Sequence, residues 1–117
     1  MIKFKESKNI YLYSENIDMR MGMNKIQILV AVNFTKIEIR HSVFIFCGTN
    51  GKQIKMYYED DYGSWLLQNK LFEGKFKWPK GLAIGTKINP VQLEGLCKGL
   101  EVIESKKEIN NKKYDYF

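Results

Sequence analysis

The chain has 117 residues, 44% of them hydrophobic and 14% aromatic, and a formal net charge of +6 with a sequence pI of about 9.3. That is enough for one domain with a modest core. No transmembrane helix is expected, because no run approaches the roughly 18 apolar residues a span needs, and the start M-I-K-F-K-E-S-K-N reads as too polar for a signal peptide's apolar segment. The cytoplasm is the expected location.

Seventeen of the nineteen basic residues are lysine; only Arg20 and Arg40 are arginine. A basic balance suits a polyanionic partner such as nucleic acid, and equally a plain lysine-coated surface. Lysine meets phosphate as a point charge, whereas arginine carries the fork that reads guanine edges. Backbone contact is therefore expected more than base reading. Cys47 and Cys97 stand far apart with no metal-ligand spacing, and His41 is the only histidine. Two reduced thiols are expected, no metal site and no cofactor.

In chain order, a polar arm over residues 1–9 leads into a domain of about 10–103. Ile10 to Tyr13 alternates like a short strand. Asn16 or Asp18 can cap a helix over about 18–33, with Met19, Met23, Ile26 and Val30 on one face. Residues 37–40 read as a short strand or loop. Val43 to Cys47 is β-branched and aromatic, a buried strand. Asn50-Gly51 is a hairpin turn, and Gln53 to Glu59 follows as a strand with Ile54, Met56 and Tyr58 on its buried face. Asp60 to Gly63 turns the chain into a segment at Trp65 to Phe72, read as a strand in preference to a helix. Glu73-Gly74 turns again into Lys75-Phe76-Lys77-Trp78, read as a strand that Pro79 ends. Ala83 to Ile88 is a further strand. Asn89-Pro90-Val91-Gln92 is a helix start with three agreeing cues: a capping asparagine, proline at the first helical position, and a glutamine that reaches back. Leu93, Leu96, Cys97, Leu100 and Ile103 form its apolar stripe. A second polar arm covers 105–113, and Y-D-Y-F ends the chain. The expected architecture is α+β: a strand, a helix in the N-terminal half, an antiparallel meander and a closing helix, in a single domain over 1–117.

Three motifs carry a resemblance. The first is Ile10-Tyr11-Leu12 followed by Asp18-Met19-Arg20 and Gly22. The second runs from Val43-Phe44-Ile45-Phe46 through Lys55, Tyr58, Asp60, Gly63, Leu66 and Lys70-Leu71 to Gly74-Lys75-Phe76-Lys77-Trp78-Pro79. The third is Asn89-Pro90-Val91-Gln92-Leu93 with Gly99. In this order they resemble the accessory protein of insertion-sequence-66 transposons, the TnpB or second-reading-frame type, which is distinct from the RNA-guided nuclease of that name. The resemblance covers about 10–101. Departures are Ile17, Met21 and Glu59, and a turn, Cys47-Gly48-Thr49-Asn50-Gly51-Lys52, where the family pattern is rich in arginine. The resemblance implies a non-enzymatic helper of transposition, with a separate transposase supplying the catalysis and with that transposase, element-end DNA or both as partners.

The candidate nucleic-acid-binding residues are Arg20, Lys52, Lys55, Lys70, Lys75, Lys77 and Trp78. Lysines on one face neutralise phosphates, and Trp78, Tyr57 or Tyr62 offers a ring for an exposed base. The bland alternatives are a core role for Phe76 and Trp78, merely solvated lysines, and a local pairing of Arg20 with Asp18. Asp61 with Glu73-Gly74-Lys75 loosely resembles a metal-dependent nuclease arrangement; the alternative is turn residues, with Glu59-Asp60-Asp61 a solvated acidic corner. A protein-interaction subunit without nucleic-acid contact is the remaining reading.

Overall fold

The computed structural model describes residues 9–103; the two arms, including Y-D-Y-F, lie outside the described residues. Seven elements follow one another: β1 (Asn9–Ile17), α1 (Met23–Asn33), β2 (Ser42–Gly48), β3 (Gln53–Glu59), β4 (Ser64–Lys70), β5 (Gly85–Ile88) and α2 (Pro90–Cys97). The strands form one sheet in the order β4-β3-β2-β1-β5. β2, β3 and β4 are the expected antiparallel meander. β1, however, pairs parallel with β2 and antiparallel with β5. The helix α1 is the reason: two parallel neighbours need a crossover connection, and α1 supplies it. The α+β class stands, with a sheet that is mostly antiparallel.

Both faces of the sheet are covered. On one, Ile26 and Val30 of α1 and Phe34 pack on Tyr13, Phe44, Phe46 and Tyr57. On the other, Leu93 and Leu96 of α2, with Phe76 and Trp78, pack on Ile10, Leu12, Val43, Ile45, Ile54 and Met56. The single buried face expected for β3 is therefore corrected: Ile54, Lys55, Met56 and Tyr57 are all buried. β2, at the centre, is buried throughout, as strands covered on both sides are.

Local details differ from expectation where a long-range partner competes. The helix α1 begins at Met23 with Gly22 as an extended N-cap and no side-chain cap. Asp18 does not cap it, because its carboxylate already accepts from the Arg20 amide and guanidinium. Asn16 lies within β1 and donates to the Gly48 carbonyl at 3.1 Å. Residues 37–40 contribute only an isolated bridge between Arg40 and Glu59. The segment 75–78 is not a strand: among the described residues it joins no ladder of the sheet, and its backbone meets the β2–β3 turn through the Phe76 amide, which donates to the Gly51 carbonyl. The start of α2 is as read: Asn89 accepts from the Gln92 amide at 2.8 Å, and the Gln92 side chain accepts from the Asn89 amide at 2.9 Å. Its stripe ends earlier than expected, because Gly99 takes φ 82° and stops the helix, leaving Leu100 exposed.

Gly48 marks where the Asp18-Met19-Arg20 loop meets the sheet. A Cβ there would stand 2.6 Å from Met19 Cγ. Gly48→Ala is expected to cost about 1–3 kcal/mol through overpacking, measured as a lowered denaturation midpoint.

A candidate nucleic-acid interface

The β2–β3 hairpin turn is closed by the Gly51 amide donating to the Gly48 carbonyl at 3.0 Å, with Gly51 at φ 74°. Two later segments return to this turn. Past the end of β4, the Leu71 amide donates to the Lys52 carbonyl at 3.0 Å, and the Phe76 amide donates to the Gly51 carbonyl at 2.8 Å. Lys70 is the register partner of Gln53. The aliphatic stem of Lys75 passes 3.5 Å from where a Gly51 Cβ would stand. Lys52, Lys70 and Lys75 thus come from three separate stretches to one end of the sheet, and all three are exposed.

Beyond Phe76 the chain crosses the α2-bearing face. Phe76 and Trp78 turn down into the core, while Lys75 and Lys77 stay exposed. The alternation read from the sequence is real, but an extended crossing segment produces it. The C-terminal end of α2 adjoins this end as well: a Cβ on Gly99 would stand 3.6 Å from Leu71 Cδ1 and 4.0 Å from the Lys75 carbonyl. That brings in Lys98, which sequence reasoning missed; it pairs with Glu94 at 3.4 Å. Glu73 is the one acidic residue within 48–53 and 70–78.

Opposite charge gathers at the other end of the same strands. Glu59 ends β3, and Asp60 and Asp61 follow in the turn. Asp60 accepts from Trp65 Nε1 at 2.9 Å and from the Tyr62 and Gly63 amides, and these bonds, the Trp65 one first, hold its carboxyl below the usual range. Asp61 meets His41 Nε2 at 2.9 Å. The Tyr57 hydroxyl donates to Glu59 at 2.5 Å, and burial first, then this bond, pushes its pKa up to about 12. The sheet is thus charge-polarised along its strands, basic at the hairpin end and acidic at the 59–63 turn.

Three candidates stand elsewhere. Trp78 is a core residue: it is 8% exposed, and its indole N–H donates to the Tyr13 carbonyl at 3.0 Å. No base reaches that ring, nor that of Tyr57, which is fully buried. Tyr62, in contrast, is almost wholly exposed. Lys55 is buried, and its Nζ donates to the Met19 and Met21 carbonyls at 2.8 and 2.6 Å. It pins the loop before α1 onto β3 and is corrected from a phosphate contact to a structural cation. Lys55→Met keeps the stem and loses both bonds. It is expected to cost about 1–3 kcal/mol, as charged hydrogen bonds do, in thermal or denaturant melts.

Arg20 is exposed but occupied, its guanidinium paired with Asp18 at 2.6 Å. Hydrogen bonds from Arg20, side chain first and then backbone, lower the Asp18 pKa to about 2. For a carboxyl lowered on folding, the stabilisation is present above the ordinary value of 3.8 and is lost as pH falls towards 2. A carbon-13 carboxyl titration should find the Asp18 midpoint near 2, and Arg20→Ala should return it towards the ordinary value.

The nuclease arrangement does not assemble. Asp61 precedes β4 and Glu73 follows it, so the strand's seven residues, at about 3.3 Å each, hold the two carboxylates roughly 20 Å apart. Cys47 and Cys97 are both free thiols, and burial pushes both pKa values up, Cys47 to about 11. No described helix is long and apolar enough to cross a membrane.

Comparison with known proteins agrees with the arrangement of motifs. The family model described as IS66 Orf2-like protein matches residues 8–107. The uncharacterized protein y4hO of Sinorhizobium fredii (strain NBRC 101917 / NGR234) is 26% identical over 101 residues, covering 86% of this chain and 88% of that protein. No solved structure matches the chain significantly. The match spans both covered faces of the sheet and the whole basic end, and the chain belongs to the IS66 Orf2-like family, whose role is an accessory one associated with transposition.

Proposed function

We propose that this chain assists transposition of an insertion-sequence-66-type element, in the cytoplasm and without catalysis of its own, by holding the phosphate backbone of element DNA at the basic end of its sheet. The observation that carries this reading is the convergence of Lys52, Lys70 and Lys75 from three separate stretches, with Lys77 exposed two residues further along the last of them and the acidic residues Glu59, Asp60 and Asp61 kept at the far end. Lysines on a rigid hairpin end give orientation on the duplex with little sequence reading.

Fluorescence anisotropy with a duplex carrying an element end tests the proposal. Binding at low salt that falls steeply as salt rises, and that a scrambled duplex largely shares, supports it. No binding even at low salt removes it.

A second reading has its own observation. On the outer side of α1, Ile28 and Val32 are about two-thirds exposed and, with Met21, Lys25 and Leu29, line a shallow groove. Such a surface suits contact with the element's transposase. Co-purification of the two proteins, lost on Ile28→Asp with Val32→Asp, supports that contact independently of DNA.

A further inference from the structure

The outer edge of β4 is an unprotected strand edge. Among the described residues nothing pairs with it, since β4 ends the strand order. Its register with β3 is continuous over all seven residues, Gln53↔Lys70 to Glu59↔Ser64, with no bulge to twist it away. Its sequence, S-W-L-L-Q-N-K, carries no charge before the final lysine and no proline. Trp65 and Leu67 are 45% and 40% exposed on one face. Proteins ordinarily blunt such an edge with a bulge, a charge or a proline, because its free amides and carbonyls template pairing with another chain.

We propose that β4 is the seam of a two-fold homodimer, in which it pairs antiparallel with β4 of a second copy, Leu67 opposite Leu67. Charge selects this occupant and this register. Centring on Leu67 engages all seven residues and sets Lys70 opposite Ser64 of the second copy. Ser64 is in turn the register partner of Glu59 within its own chain. Glu59, Ser64 and the other copy's Lys70 therefore share one row and one face, and neighbouring strands are about 4.8 Å apart. The basic end of each copy meets the acidic corner of the other, twice by symmetry. A register centred nearer the end of the strand would instead bring the two Lys70 side chains together. The pairing also joins the Trp65 and Leu67 surfaces of both copies into one apolar strip within a ten-stranded sheet, and cross-strand pairs of this kind are the unit of sheet stabilisation. The dimer does not depend on DNA binding.

Sedimentation equilibrium of the full chain tests the seam. A reversible dimer is expected at micromolar concentrations, and Leu67→Lys, which puts two ammonium groups face to face on the axis, should weaken it by about tenfold or more, with the sheet's circular dichroism retained. Disulfide trapping in a Cys97→Ser background keeps the test independent of that variant. Leu67→Cys should cross-link to itself under mild oxidation. Ser64→Cys and Lys70→Cys should each remain uncross-linked alone and cross-link when mixed. A wild-type chain that stays monomeric at high concentration overturns the proposal, as does self-linking of Ser64→Cys that equals the mixed pair. An edge that becomes protected only when transposase is added assigns β4 to that protein and overturns it equally.

Discussion

Trp78→Ala should destabilise the domain by about 3–5 kcal/mol, the range for removing a buried tryptophan side chain, a large share of the 5–15 kcal/mol that holds a typical domain together. The ring closes the core between α2 and the sheet and is the tie by which the 75–78 segment is held to β1, through its bond to the Tyr13 carbonyl. Its loss loosens the platform that presents Lys75 and Lys77. Trp78→Phe separates the two contributions: packing is mostly retained while the Tyr13 carbonyl loses this partner, and the cost should drop to about 1–3 kcal/mol. Denaturant melts measure both. The phenylalanine variant should bind DNA as the wild type does, because the indole is buried and touches no ligand. A Trp78→Phe protein that is fully folded yet fails to bind would return the residue to the interface.

Joint replacement of Lys52, Lys70, Lys75 and Lys77 by alanine should nearly abolish DNA binding while leaving the fold intact. The four side chains are exposed, so their removal costs little packing. If each neutralises one phosphate, the wild type's log–log salt slope should be about −3 to −4, and affinity should fall roughly 100-fold between about 50 and 200 mM salt. Each single replacement should reduce the magnitude of the slope by about 1. The quadruple variant should show a slope near zero. Lys55→Met should leave the slope unchanged at temperatures where that variant is folded, since the Lys55 ammonium is spent on the Met19 and Met21 carbonyls.

What the sequence made legible was mostly what short-range chemistry decides. The capping box at Asn89–Gln92 and the hairpin at Asn50-Gly51 need only their own few residues; the box formed as read, and the hairpin formed with Gly51 alone at positive φ and Thr49-Asn50 between the bonded Gly48 and Gly51. The inward direction of Phe76 and Trp78 was legible as alternation, but alternation cannot separate a paired strand from an extended segment laid across a core. The parallel pairing of β1 with β2 depends on residues some thirty positions apart, Ile10 with Val43, and no local pattern encodes it. Lys55 was misleading for a related reason. A lysine alternating with apolar residues looks like the wet face of a strand, and only the return of the 19–21 loop shows that its charge meets two carbonyls. The lysine cluster itself was half legible. Each member was visible in the sequence, but its assembly required the Leu71 and Phe76 amides to close on the hairpin turn.

The central claim is that one end of the sheet, and not the lysine coat as a whole, meets DNA. Lysine side-chain NMR during titration with an element-end duplex tests it most directly. The account predicts that the Lys52, Lys70, Lys75 and Lys77 signals move together while those of Lys25, Lys36 and Lys87 stay in place. Equal movement of all seven, or movement confined to the second group, would contradict it.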